Sequence, residues 1–280
     1  MKRRVSALLC LLAALLFCGA AAQPAPTEAP STALEAYFFR AGKADAILLR
    51  TANGAVLIDT GKRGFGKEIV DYCAAQGIEK LDCLIVTHFD KDHVGGAAKV
   101  LRALPVTEVL QSVFPKNSKE YDNYRKALRK AGLEPVTVRE ELSFTLDGVS
   151  FTVNPPRLER YADSPSNNAS LIVTVRCGAC RLLFLGDAEA LRLLEWLEGE
   201  SAPCDFIKMP HHGDWNSAIQ PLLEETLPLC AVVTSSKKEP EDPRTVGLLE
   251  RFEVETFYTR EAPVLLACDG EQIALSYVGK

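Results

Sequence analysis

Ten residues, Thr87-His88-Phe89-Asp90-Lys91-Asp92-His93-Val94-Gly95-Gly96, restrict what this chain can fold into more than any other stretch. Ahead of them, Leu84, Ile85 and Val86 form the short apolar run of a buried strand. Behind them, Gly95 and Gly96 lead into residues 97–104, small and then helix-forming. The cluster His88, Asp90, Asp92 and His93 therefore belongs on a loop leaving the C-terminal end of a strand, where open α/β sheets place their ligands. Imidazole and carboxylate suit divalent metals, and two ions a short distance apart can share a water. A polar surface loop is the plain alternative, but only four histidines occur in 280 residues and two of them stand here.

The other two decide between these readings. His211 and His212 are adjacent in Met209-Pro210-His211-His212-Gly213, after the short apolar run Phe206-Ile207 and before a glycine that lets backbone approach closely. Between the two histidine pairs lies Leu182-Leu183-Phe184-Leu185-Gly186-Asp187, a buried strand ending in an aspartate able to bridge two ions. All four histidines thus stand at strand-to-loop junctions.

His88-x-Asp90-x-Asp92-His93 with Gly95-Gly96, the strand end Gly186-Asp187, and Pro210-His211-His212-Gly213 resemble the metallo-β-lactamase fold. More narrowly, they resemble the hydrolase domain of the ComEC-type DNA-uptake proteins and its free-standing relatives. Leu57-Ile58-Asp59-Thr60-Gly61 and Asn167-Asn168-Ala169-Ser170-Leu171-Ile172-Val173 fit the same pattern. The resemblance runs from about residue 34 to the C-terminus. It implies a four-layer αββα sandwich with the site at one edge between the sheets; alternation of strands and helices by itself gives only α/β. It also implies two divalent metal ions, zinc or manganese. His88 and Asp90 would hold one, Asp92 and His93 the other, with Asp187 between them and one of His211 and His212 completing the second site. Asp92 or Asp187 is then the catalytic carboxylate that orients the attacking water or takes its proton. Asp59, which ends an apolar strand, is expected to support the metal loop by hydrogen bonding rather than to ligate.

Several positions depart from the pattern. Asp90 replaces the more usual second histidine, and Asn167 stands where many members carry a histidine ligand. These oxygen-for-nitrogen exchanges make manganese a credible occupant alongside zinc. Asp214 follows Gly213 where relatives usually have serine, and Asp242-Pro243 stands where they carry His-Pro. Where relatives commonly show Val-Gly-Gln-Gly-Asp, Ala41-Gly42-Lys43-Ala44-Asp45 keeps only Gly42 and Asp45. The departures at Asp214 and Asp242-Pro243 leave the core metal set untouched and put substrate preference in question.

The N-terminus reads as an export segment, residues 1–22: Lys2, Arg3 and Arg4, an apolar run over 5–18, and small residues Ala20-Ala21-Ala22 for cleavage. That run is too short for a comfortable transmembrane span. An acylated Cys18 is a weaker reading because Phe17 is bulky, and an uncleaved segment would associate the protein with a membrane. Residues 23–33, rich in proline and alanine, form a spacer, and 34–280 the hydrolase domain. The chain is expected to be exported, extracellular or at the cell surface. Outside the export segment an odd number of cysteines remains, so at least one is unpaired within the chain. Cys177-Gly178-Ala179-Cys180 spans an apparent hairpin turn, with a disulfide and two flanking thiols as equal alternatives.

The formal net charge of −5 excludes nucleic-acid binding through the overall field, so a polynucleotide would need a local basic track. One candidate is Lys116, Lys119, Arg125, Lys126, Arg129 and Lys130, with Tyr121 and Tyr124 interleaved; the solvated face of a surface helix is the favoured reading. Helices are expected at 66–76, 94–104, 118–131, 188–197, 218–223 and 243–252, and a polar, proline-bearing loop over the site at 155–168. With these features, the resemblance implies an exported metal-dependent hydrolase of a phosphodiester, single-stranded DNA being one expected substrate. A lactone, ester or amide hydrolase on the same centre, and a binding module with a decayed metal site, are the alternatives. No protein partner is inferable.

Overall fold

Strands covered on both faces read as continuous apolar runs rather than alternating ones, and Leu81–Val86 and Cys180–Phe184 are of that kind. The computed structural model describes residues 33–280 apart from Glu159 and Ser201. The expected export segment and all but the last residue of the spacer lie outside the described residues.

The first half runs β1 (Leu34–Phe38), β2 (Ile47–Arg50), β3 (Ala55–Ile58), α1 (Gly66–Ala75), β4 (Leu81–Val86), α2 (Ala97–Ala103), β5 (Val106–Gln111), α3 (Lys119–Ala131) and β6 (Val136–Thr137). The second runs β7 (Leu142–Leu146), β8 (Val149–Asn154), β9 (Ile172–Cys177), β10 (Cys180–Phe184), α4 (Ala190–Glu200), β11 (Phe206–Lys208), α5 (Ile219–Thr226), β12 (Cys230–Val233), α6 (Pro243–Arg251) and β13 (Glu255–Tyr258). β14 (Val264–Cys268) and β15 (Ile273–Tyr277) follow. One sheet has the order β15-β14-β1-β2-β3-β4-β5-β6, the other β13-β12-β11-β10-β9-β8-β7.

Within each sheet, alternate side chains point to opposite faces. Phe38, Ile85, Phe184 and Phe206 fill a core between the sheets, where the Phe38 and Phe206 rings lie 5.4 Å apart. Leu57, Leu84 and Val86 face the other way, onto α1, α2 and α3. Leu183, Ile207 and Val233 do the same under α4, α5 and α6. The result is the four-layer αββα sandwich. β3 to β6 are parallel, as are β10 to β13, each crossover carrying a helix. The C-terminal ends of both parallel sets meet at one edge, and that edge carries the polar cluster.

β7 was not anticipated; its short alternating run, Leu142-Ser-Phe-Thr-Leu, pairs with β8 across the turn Asp147-Gly148. α2 starts at Ala97 rather than 94, because residues 93–96 are spent on a tight turn against Thr60–Arg63. A Cβ on Gly95 would sit 2.3 Å from Lys91 O, and one on Gly96 2.2 Å from Thr60 O. The two glycines exist so that these backbones can touch.

Candidate metal centre

The loop after β4 divides its side chains between two destinations. Phe89 points outward and packs on Tyr121 at 4.5 Å, which anchors the loop under α3. His88 and His93 turn inward and are almost wholly buried. Asp59, at the end of β3, accepts from Thr87 N at 2.9 Å, Thr87 Oγ1 at 2.6 Å and His93 Nδ1 at 2.8 Å. The last bond fixes the tautomer of His93 and leaves its Nε2 for the centre. Asp59 thus supports rather than ligates, although it also lies in a close group with Asp45 and His93.

From the other sheet come Asp187, after β10, and His212, after β11. His211 and His212 both adopt left-handed backbone, φ 45° and 54°, a conformation unusual for side-chain-bearing residues that clusters at functional sites. The turn sends His212 inward and His211 to the rim. His212 Nδ1 lies 3.0 Å from Thr234 Oγ1 and 3.3 Å from Asp45 Oδ1, with Thr234 donating to Asp45 at 2.6 Å. Its Nε2 is 3.2 Å from Asp187 Oδ2 and 3.7 Å from Asp92 Oδ2. His93 Nε2 is 3.0 Å from the same Asp187 oxygen. Asp92, His93, Asp187 and His212 each offer a donor atom within 4.8 Å of the others.

His88 is set beside this group of four. Its Nδ1 meets Thr87 Oγ1 at 3.2 Å and Ser170 Oγ at 3.3 Å, and its Nε2 lies 3.9 Å from both Asp90 Oδ1 and Asp187 Oδ2. Asp90 Oδ1 accepts hydrogen bonds from Lys116 Nζ and Ser166 Oγ. Asn167 donates to Glu189 Oε1 at 2.7 Å and lies 3.4 Å from His211 Nε2, so both residues stand at the rim.

Nε2 of His88, His93 and His212, and Oδ1 of Asp187, are buried without a hydrogen-bond partner. Such atoms are rare, because each forfeits its solvation. The three nitrogens gather around Asp187 Oδ2, at 3.9, 3.0 and 3.2 Å, and nitrogen and carboxylate oxygen together are a donor set for a divalent cation. Burial and the neighbouring carboxylates act on these groups in opposite directions. Burial drives His88 down to about 4, with the charge of His93 adding to it. Burial acts the same way on His212, but the Asp187 and Asp45 carboxylates outweigh it and raise the group to about 10. His93 is likewise held well above its usual range by Asp187 and Asp59 against the effect of burial. Burial pushes Asp187 up, and the two imidazolium charges more than reverse it; the same balance leaves Asp92 at about 2.

Residues that the sequence did not single out complete the support. Lys208, fully buried, bonds to Asp45 and to Gly186 O at 3.0 Å. A lysine inside the apolar run Phe206–Met209 was the available signal. Lys116, read as part of a basic segment, is instead at the centre. Of that segment, Tyr124 is wholly buried and donates to Gln111 at 2.8 Å, so it has no face to stack on a base. Asp214 pairs with Lys43 at 2.6 Å, joining two of the departures noted above, and Asp242 caps α6 by accepting from Arg244 N at 2.8 Å.

Fold and site together define a metal-dependent hydrolase, and the chain belongs to the metallo-β-lactamase superfamily, whose family model matches residues 40–233. Its sequence is similar to ComE operon protein 3 of Bacillus subtilis (strain 168), with 28% identity over 211 residues, 66% of this chain and 26% of that protein. It is also similar to Recombination protein 2 of Haemophilus influenzae, 29% identical over 205 residues, 71% of this chain and 24% of that one. Competence protein ComA of Neisseria gonorrhoeae is 26% identical over 213 residues, 75% and 28% of the two chains. The chain spans about a quarter of the length of these relatives. Among solved structures, the fold matches the metallo-beta-lactamase fold protein YhfI from Bacillus subtilis, with TM-score 0.56 and 10% identity over 87% of this chain and 99% of that one. A CmlA beta-hydroxylase mutant gives TM-score 0.52 and 16% identity over 82% and 53%.

Proposed function

We propose that this chain is an exported, metal-dependent phosphodiesterase of nuclease type, related to the competence proteins it resembles. The observation that carries the reading is the ring of unpartnered buried atoms around Asp187, bordered by the carboxylates of Asp90 and Asp92. Asp92, His93, Asp187 and His212 would hold a divalent ion, which would supply polarisation of a phosphoryl oxygen and a lowered pKa for a water. Of the two candidate carboxylates, Asp92, with 22% of its side chain exposed against 4% for Asp187, would be the one to orient that water or take its proton. The oxygen-rich donor set favours manganese beside zinc. Lysines frame the mouth: Lys43 beside Asp214, Lys62 beside Glu239 at 3.3 Å, and Lys116 beside Asp90. Each of these lysines is already paired with a carboxylate, so on a chain whose net charge is −5 an anionic diester, single-stranded DNA among them, would be drawn by the bound cation rather than by the surface field.

The test assays purified protein with manganese or zinc against bis-p-nitrophenyl phosphate, a lactone and a β-lactam, alongside metal analysis. Manganese-stimulated diester cleavage is expected, and Asp92→Ala or His93→Ala should abolish it without unfolding the protein. Lactone hydrolysis without diester cleavage would overturn the substrate class. No bound metal and no activity would make the chain a binding module. The export part is checked by the intact mass of protein recovered outside the cell, which should lack residues 1–22.

A further inference from the structure

The two metal positions implied by the donor set are not equivalent. Asp92, His93, Asp187 and His212 converge, with three of the four buried. The second position rests on His88 Nε2, which is buried and unpartnered and faces Asp90 Oδ1 and Asp187 Oδ2 at 3.9 Å each. Bonds of about 2.0–2.2 Å to nitrogen and oxygen span such a gap, so an ion fits between His88 and either carboxylate. The oxygen of Asp90 that faces His88, however, is the one that accepts from both Lys116 Nζ and Ser166 Oγ. Its lone pairs are already used. An ion entering there must displace a donor and would sit close to an ammonium of like charge. Asn167, which stands in place of a histidine, offers no imidazole to make up the difference, and its amide nitrogen lies against Glu189 and His211.

We propose that Lys116 is a built-in competitor for the second metal ion, so that the centre binds one divalent ion tightly and a second only when Lys116 releases Asp90. The inference rests on the metal-dependent reading above. Lys116 can play this part because it lies on the irregular segment between β5 and α3, with 37% of its side chain exposed. Its ammonium has water to move into. Buried Lys208, held by Asp45 and Gly186 O, has none and is a fixed part of the support. The first position shares only Asp187 with the second, so Lys116 governs one ion and not the other.

Manganese titration of the full chain, followed by calorimetry and by electron paramagnetic resonance, tests this. Isolated manganese gives a six-line spectrum and an adjacent pair an exchange-coupled one. The wild-type protein is expected to show one tight ion, with the coupled signal appearing only at high manganese. Lys116→Met should tighten the second ion by roughly 10- to 100-fold, the range over which groups around a metal's ligands act, and leave the first unchanged. Lys116→Arg should keep the wild-type pattern, and so should Lys130→Met, a lysine on the exposed face of α3. Two equally tight ions in the wild type, or no tightening in Lys116→Met, would overturn the competition while leaving a metal centre in place. No ion in any of the proteins would overturn the metal-dependent reading itself, and this inference with it.

Discussion

Asp59 has no exposed surface, and its two oxygens accept from Thr87 N, Thr87 Oγ1 and His93 Nδ1. Truncation to alanine leaves Thr87 N and His93 Nδ1 unpaired, at about 1–3 kcal/mol for each group left unsatisfied, while Thr87 Oγ1 keeps His88 Nδ1 at 3.2 Å. Asp59→Ala is therefore expected to lower stability by about 2–5 kcal/mol in urea unfolding and to weaken metal binding about 10- to 100-fold in titration, because His93 loses its orientation. A variant with native affinity would show that His93 is held by the loop backbone alone. The supporting role is legible in the sequence, since an aspartate ending an apolar run reaches the neighbouring strand end. The choice between His211 and His212 is not, because it depends on two successive left-handed residues after Pro210 that no local composition announces. With that geometry, His212→Ala should remove the tight ion, a loss beyond the roughly 100-fold ceiling of outer groups, whereas His211→Ala should keep it. Equal losses in the two variants would return the assignment to an open question.

At the scale of elements, continuous apolar runs make β3, β4, β10 and β12 legible, and a serine cap with Gly132 in left-handed conformation closes α3 as its sequence suggests. β7 escapes notice because it is short and half-exposed, yet the turn after it is written plainly. Asp147 and Gly148 both have positive φ, 49° and 83°, as a two-residue hairpin turn matched to strand twist requires. Asp147 then does a second task. Its carboxylate accepts from Asn53 Nδ2 at 3.0 Å, Thr51 Oγ1 at 2.7 Å and Asn53 N at 2.7 Å, tying the β7–β8 turn of one sheet to the β2–β3 turn of the other. The bonds from Asn53, then Thr51, hold the group below the ordinary aspartate value. A carboxyl lowered on folding stabilises the native state above its unfolded pKa, about 3.9, and that contribution disappears as the pH falls through the folded value. Asp147→Asn should thus be less stable than wild type at pH 7 and lose less stability between neutrality and acid. Parallel acid-unfolding curves for the two proteins would show that this tie contributes nothing.

For the molecule as a whole, the seven described cysteines act as reporters because they are spread over all three cores. Cys83, Cys177, Cys180, Cys230 and Cys268 lie between the sheets, Cys73 beneath the helices of the first and Cys204 beneath those of the second. All are free thiols, including the Cys177–Cys180 pair facing across the β9–β10 hairpin. Burial pushes Cys73 up to about 11, and Cys177, Cys180, Cys204 and Cys230 up to about 12. The thiolate is the reactive form, so these groups are inert at neutral pH even in an oxidising compartment. A thiol-specific reagent at pH 8 should therefore label almost none of the folded protein, and the cysteines should become reactive together, in one cooperative transition with urea. The same shift fixes the alkaline behaviour. A free thiol ionises near pH 8.5, whereas Cys73, Cys177, Cys180, Cys204 and Cys230 keep their protons to about 11–12 in the folded protein. Between those limits the unfolded chain binds fewer protons than the native one, so stability falls as pH rises. The contribution is whole below about pH 8.5 and is progressively lost towards pH 11. Urea midpoints measured from pH 8 to 11 should decline. A flat profile, or two thiols missing from the count in urea, would mean that some are ionised or oxidised in the native state, with Cys177 and Cys180 the first pair to examine.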